Sequence, residues 1–494
     1  MKANHLFTMC IAVLGLSLTA CNREDAPANG LKEGRTFAGM FVSTNAPASK
    51  AQADYAGRAG ESKLASLDLL SSATSKTWTL GTTADADGKF WETTAGSNVY
   101  KVKPWETTPG NQILALMFNK GTVTANIATA ANAVYGSAAN AVTEIAAISA
   151  DDAFLMTSDA ANKTIAKNKK EADVKAGSTE ADNVFKFKVE RVVAQGLVAK
   201  DAALTAATKD GKGQVKLDDI TYAAINGAVK TYLFRNHAGE RTLGTDGLYS
   251  NFASAIDGYV EFEAAKDATS ANVKANLVRL GNYKAGLGNY AAIAAAASAD
   301  AAKSARGIYF LENSVKKDAF TTENKNFGFY RMAYAKVYTV YTPNEVLDLD
   351  AEGHLVAKAG VQGETFYLGE QDGLIYKTKE AAKKSLTNPN QKAYTFTNGK
   401  CAYRALWNRQ EDNNLVVNAD VRRNNTYLLT IKAFQGLGMP WDSSDPDDPN
   451  LPKPNDPDEP DTPDNPDIEK EATFMRVEAT VLQWNLVSRD VVLE

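Results

Sequence analysis

Residues able to do chemistry are few in this sequence, and their spacing excludes most of what they could do. Asp348-Leu349-Asp350-Ala351-Glu352-Gly353 begins as a calcium loop begins, but the twelfth position is Ala359, where a bidentate glutamate is needed. A polar hairpin is expected there, and Asp85-Ala86-Asp87-Gly88 reads as a turn. Gly286-Leu287-Gly288 lacks the third glycine and the flanking strand of a dinucleotide-binding loop. No nucleophile-elbow sequence occurs, and carboxylates are numerous without any pair singled out for glycoside hydrolysis. Of three histidines and three cysteines, His5 and Cys10 lie in the N-terminal apolar segment, so soft metal ligands are too scarce for a zinc or copper site. Neither a catalytic residue nor a cofactor is expected. Cys401, between Lys400 and Tyr403 in a strand-like stretch, reads as a buried, inert thiol. His237, in Arg235-Asn236-His237-Ala238-Gly239, reads as a loop residue.

One cysteine has chemistry by position. Lys2, an apolar run from Ile11 to Leu18 and then Leu18-Thr19-Ala20-Cys21 make a secretion signal that ends in a lipobox, so Cys21 is expected to become the lipidated first residue. Beyond it no apolar run reaches the roughly 18 residues that a membrane span requires, so the lipid is the expected anchor. With Cys401 the remaining thiol, internal disulfides cannot hold the exported fold. Its core has to.

The formal charge of −5 is unevenly spread. Residues 442–470 carry eleven carboxylates against two lysines, a local −9, and the remainder sums to +4. No basic stripe points to nucleic acid. Eight of the fifteen prolines also fall in this segment, between Asp442 and Asp467. Proline removes donors and like charges repel, so it reads as a stiff, extended spacer.

The elements on either side of the spacer are mainly strands. In Thr36 to Thr44, Ala38, Met40 and Val42 alternate with Phe37 and Phe41, a pattern for a strand buried on both faces. Asn45 to Gly60 is an exposed, small-residue loop with cations at Lys50 and Arg58. Strands are expected at Leu64 to Ser71, Ile113 to Phe118, Val184 to Val193, Val215 to Tyr222, Val229 to Phe234, Tyr330 to Tyr341, Thr365 to Leu368 and Asn425 to Ala433. Alanine-rich Ala125 to Ala150 and Ala291 to Ala302 are expected as helices. Lys209-Asp210-Gly211-Lys212-Gly213 supplies a turn between two domains. Beyond the spacer, Met475, Val477, Ala479 and Val481 alternate with Arg476, Glu478 and Thr480, a strand with no local partner.

Two readings follow for the terminal strands. Either the first is permanent and the last folds back onto its own domain, or they exchange between copies. In the second case, cutting after Lys50 or Arg58 frees the first strand, and the last strand of a neighbour fills the groove by β-augmentation. Such a junction is head to tail and builds a filament.

Val421-Arg422-Arg423-Asn424-Asn425-Thr426-Tyr427, Gly436-Leu437-Gly438-Met439-Pro440-Trp441, the spacer and Thr473 to Trp484 resemble the C-terminal end of a short-fimbria shaft subunit of the type V pilin, or fimbrillin, family. Val189-Glu190-Arg191, Ala335-Lys336-Val337 with Thr342-Pro343, and Gly363 to Glu370 are similar as well. The resemblance implies two transthyretin-like β-sandwich domains with alanine-rich helical insertions and a C-terminal donor strand on a Pro/Asp spacer. The implied division is a signal peptide 1–20, a propeptide 21–58, sandwiches 59–205 and 206–441, the spacer 442–470 and the donor 471–494. It also implies lipidation at Cys21 and an outer-membrane precursor that becomes an extracellular fimbria. An arginine-specific protease would excise Phe37, Ala38, Met40, Phe41 and Val42 with the first strand. The donor would be Phe474, Met475, Val477, Ala479, Val481, Leu482 and Trp484. Arg58-Ala59-Gly60 resembles the family's junction, while Lys50 lies nearer the strand as the family's site does. Arg35 precedes the strand, and cutting there opens nothing. Implied partners are further copies of the chain, fimbrial anchor and tip subunits, and host or bacterial surface proteins in adhesion, coaggregation and biofilm formation. A surface glycan-binding lipoprotein would need an aromatic platform instead, a hydrolase would show acid/base or nucleophile spacing, and an anchor would keep its first strand.

Overall fold

The computed structural model describes residues 34–44, 54–55, 59–234 and 333–440, apart from short interruptions, together with 307–312 and 475–484. Cys21, Lys50, Arg58, His237, Gly286 to Gly288, the expected helix Ala291 to Ala302, the spacer and Phe474 lie outside the described residues.

β-Branched and aromatic runs make the chain mainly β. The helices among the described residues are short, the α-helices being Ala141–Ile148, Glu171–Ala176 and Lys379–Lys383. A ten-stranded N-terminal sheet contains Thr36–Ser43 and closes on itself. Its ladders run from Met156–Ser158 through Val184–Arg191, Thr36–Ser43, Val99–Val102, Lys89–Glu92, Lys76–Leu80 and Ser66–Ser71 to Gly110–Phe118, which pairs back with Met156–Ser158. Phe90, Phe118, Leu67, Leu116 and Trp105 are fully buried inside it, with Phe90 edge-on to Phe118 at 5.5 Å.

A second pair of sheets is built largely from the C-terminal half. One has the order Ile308–Leu311, Val193–Lys200, Asn425–Phe434, Met475–Trp484, Asp54–Tyr55. The other centres on Tyr334–Pro343, flanked by Lys400–Leu406, Thr221–Ile225 and Gly213–Val215. Aromatic rings join the two: Phe310 stacks on Trp407 at 5.5 Å, and Tyr403 meets Phe434 at 5.0 Å. Gly196 permits this, because a Cβ there would lie 2.7 Å from Trp407. The chain changes sheets between Arg191 and Val193, ahead of the division expected at 205. The break is not visible as a linker in the sequence, since only Val192 parts the two strands.

Among the described residues of the expected helix Ala125 to Ala150, only Ala141–Ile148 is helical, with Ile145 and Ile148 anchoring it in the core. Val134–Tyr135 is instead a strand paired with Thr231–Tyr232. Alanine content is a weak preference that a β-branched and aromatic pair overrides when a partner strand is at hand. Asp348 to Gly353 forms the expected hairpin, in which the Asp350 carboxylate accepts from the backbone N–H of Glu352 and His354. Cys401 is buried, and burial pushes its thiol up to about 12. Alkylation at pH 8 is therefore expected to proceed only after unfolding; a native chain labelled within minutes would contradict this placement.

Candidate functional site

Thr36–Ser43 is a strand with both edges and both faces occupied. On one edge it pairs in parallel with Val184–Arg191, from Gly39↔Val184 to Ser43↔Lys188. On the other it pairs antiparallel with Val99–Val102 and, displaced by one residue, with Trp105–Thr107. Thr36, Ala38, Met40 and Val42 are fully buried, whereas Phe37 and Phe41 are half-buried. Burial of Met40 and Val42 contributes about 1.5–3 kcal/mol each. Helix Glu171–Ala176 packs over the outer face at Gly39, so the expected two-sided burial is met only in part, Phe37 and Phe41 staying half-buried. Gly39 is required for that cover: a Cβ would stand 2.7 Å from Val174 Cγ1.

Polar groups fix the strand's start. Thr36 Oγ1 donates to the Ala166 carbonyl at 2.9 Å and accepts from the Lys169 N–H at 3.0 Å. Asn183, at φ +60°, donates from Nδ2 to the Phe37 carbonyl at 2.9 Å, and its own carbonyl accepts from Gly39 N at 2.8 Å. The Lys101 ammonium lies 5.1 Å from the Phe41 ring centroid. Withdrawal of this strand would leave two facing ladders with unpaired N–H and C=O groups and an apolar trough between them.

The final strand follows the fold-back reading in this structure. Met475–Trp484 does have a partner in its own chain: it pairs antiparallel with Asn425–Phe434 along its length, from Asn425↔Gln483 to Phe434↔Met475, with a bulge between Ile431 and Ala433. The alternating residues Val477, Ala479 and Val481 stand opposite Ile431, Leu429 and Tyr427, which are fully buried. The other edge of the final strand is paired, among the described residues, only at Gln483 and Trp484, by Asp54–Tyr55.

Between the two strands lies a buried polar junction that sequence reasoning did not single out. Arg191, fully buried, donates from Nε to the Glu61 carbonyl at 3.0 Å and from Nη1 to Asn424 Oδ1 at 3.2 Å. Glu61 Oε1 accepts from Gln195 at 3.2 Å and from the Tyr309 hydroxyl. Asn424 adopts φ +58°, a conformation asparagine tolerates. Next to it Arg423 donates to Glu312 Oε1 at 3.0 and 2.5 Å, to Thr231 Oγ1 at 2.9 Å and to the Tyr232 carbonyl at 2.6 Å. Burial alone would lower this guanidinium's pKa; the Glu312 charge and hydrogen bonds outweigh it and hold the pKa raised. The signal was present in Val189-Glu190-Arg191 and Val421 to Tyr427, read only as resemblance.

Gly39→Ala is expected to destabilise the uncut chain by about 1–3 kcal/mol through overpacking against Val174, and to cost less when Val174→Ala makes room for the added methyl. Calorimetry of the uncut chains checks this; an equal further loss in both backgrounds would contradict it.

Residues 394–490 match the family model described as Major fimbrial subunit protein type IV, Fimbrillin, C-terminal. The matched stretch contains Lys400–Leu406, Asn425–Phe434 and Met475–Trp484, and the family is structural rather than enzymatic. It covers well under half of the chain. Among solved structures, a fimbrilin from Porphyromonas gingivalis W83 is similar at 15% identity and a TM-score of 0.44, over 92% of this chain and 99% of that one. A putative cell adhesion protein from Parabacteroides distasonis gives 12% identity and 0.42, over 92% and 100%. The tip fimbrial protein Mfa3 from Porphyromonas gingivalis, with a C-terminal truncation, gives 12% and 0.33, over 91% and 100%. At such scores these likenesses carry no weight for function, which rests on the family match and the chain's own geometry.

Proposed function

We propose that the chain is the structural shaft subunit of a cell-surface fimbria, exported as a lipoprotein through Cys21 and polymerised by strand exchange after loss of its first strand. The protease cuts after Arg58, with Lys50 as the second choice. The segment 471–494 of one copy then enters the groove vacated by Thr36–Ser43 in the next. The carrying observation is the contrast between the two strand positions. The first strand is paired along both edges, while the last is paired fully along one and at two residues along the other. Transfer from the second kind of place to the first adds ladder bonds, each worth about 0.5–1.5 kcal/mol net, and refills an apolar trough. The family match, which includes the final strand, supports the same reading.

A chain with both an excisable first strand and a terminal donor suits an internal shaft position, with anchor and tip subunits at the ends. The proposed division is two sandwich domains between propeptide and spacer. The complete pairing of the final strand with its own chain favours a second reading, a monomeric surface-anchored accessory subunit. N-terminal sequencing of surface-extracted protein, beside unheated and heated gels, separates the two. A start at Ala59 or Ala51 and a multimer ladder lost on heating are expected of the shaft; a lipidated Cys21 start with monomer alone would contradict it.

A further inference from the structure

We infer that Asp54–Tyr55 is a clasp that adds to the hold on the final strand in its own subunit, and that one cut after Arg58 both opens the acceptor groove and removes this clasp from the donor's outer edge. This rests on the strand-exchange reading above.

The clasp pairs in parallel with the end of the final strand, Asp54↔Gln483 and Tyr55↔Trp484, on the edge that Asn425–Phe434 does not occupy. It therefore covers the donor where a second ladder would otherwise form. Two residues of pairing are weak alone, so the clasp depends on tethering, which keeps a short segment at high local concentration. Each tether leads to a buried residue, Thr44 on one side and Glu61 on the other. Upstream, residues 45–53 connect it to Thr44, buried at the end of the first strand. Downstream, residues 56–58 connect it to Ala59–Glu61, a turn of 3-10 helix locked into the core. There the Gly60 carbonyl accepts from Asp152 N at 2.6 Å, and Glu61, fully buried, is held by Arg191 and Gln195.

A cut after Arg58 severs the short tether, so departure of the first strand carries the clasp away. A cut after Lys50 would also release the first strand, yet leave Asp54–Tyr55 tied to Ala59 beside the donor's end. The two positions thus differ in consequence although both open the groove. Lodging plug and clasp on one peptide prevents a copy from donating before it can accept.

The experiment moves the cut. In K50R/R58Q an arginine-specific protease can cut at position 50 but not at 58. Wild type and this variant are prepared as full chains and cut, the new N-termini are verified, and polymerisation is followed by light scattering. Amide exchange at residues 475–484 is measured in the monomers before assembly. The expected result is slower exchange at Gln483 and Trp484 and assembly slowed about tenfold or more in K50R/R58Q, both returned to wild-type values by adding Y55P, which removes a ladder donor. Equal exchange and equal rates in the two cut chains would overturn the clasp, as would a delay that Y55P does not relieve. Failure of the strand-exchange reading looks different: the exchange difference persists, but no cut chain polymerises.

Discussion

A cut chain lacking residues 471–494 accepts a donor but cannot give one, and an uncut Y55P/R58Q chain, its clasp opened by the lost ladder donor, gives one but cannot accept; mixed, they form a dimer and nothing longer. The first keeps the trough lined by Val99–Thr107 and Val184–Lys188, whereas the second keeps that trough filled by Thr36–Ser43. Burial of Met475, Val477 and Val481 in the trough contributes roughly 5–9 kcal/mol before ordering costs. Its loss therefore weakens association by at least about a thousandfold. Added in small amounts to wild type, each variant shortens polymers from opposite ends. Sedimentation of the mixture reads the result directly. Trimers from the two variants alone, or a truncated chain that assembles normally, would contradict the roles given to the terminal strands.

The largest effect on stability is expected at Arg423. Its side chain and that of Glu312 are both buried and joined by two hydrogen bonds, and further donors go to Thr231 and Tyr232. Arg423→Ala strands a carboxylate in the core and costs about 3–5 kcal/mol. A double replacement by apolar residues of similar volume is expected to recover most of that loss, because a buried pair offsets its own desolvation only narrowly. Denaturant unfolding of the three chains provides the test; a single replacement that costs under about 1 kcal/mol would contradict the pairing. The same arginine lies one residue before Asn424, which ties the strand Asn425–Phe434 to Arg191. Its loss should therefore also loosen the seat of the final strand.

Local features were legible in the sequence where one segment carries the whole signal. Alternation around Ala38, Met40 and Val42 gave the first strand and its buried face, and the missing glutamate at position 359 gave a hairpin rather than a calcium loop. Cys401 was readable as an inert core thiol for the same reason. What failed was pairing between distant segments. The partner of Met475–Trp484 lies across the whole spacer, and period-two alternation says which residues share a face but not which strand they meet. Likewise, the parallel neighbours Val193–Lys200 and Asn425–Phe434 are joined through Arg191 and Asn424, two polar residues whose burial no local pattern reveals. Asp54–Tyr55 was hidden by its composition, since two residues in a small-residue loop carry no periodicity at all.

Strand exchange requires the final strand to leave its own subunit, and a reversible lock can hold it there. Thr430 and Glu478 are cross-strand neighbours in the ladder, at a spacing that a disulfide can bridge, and the remaining thiol outside the propeptide, Cys401, is buried and held protonated. T430C/E478C is oxidised as the uncut chain, then cut, and polymerisation is followed before and after reduction. The expected product is a correctly cut monomer that stays monomeric while oxidised and assembles once reduced. Polymers of normal length that form with the disulfide intact would contradict it.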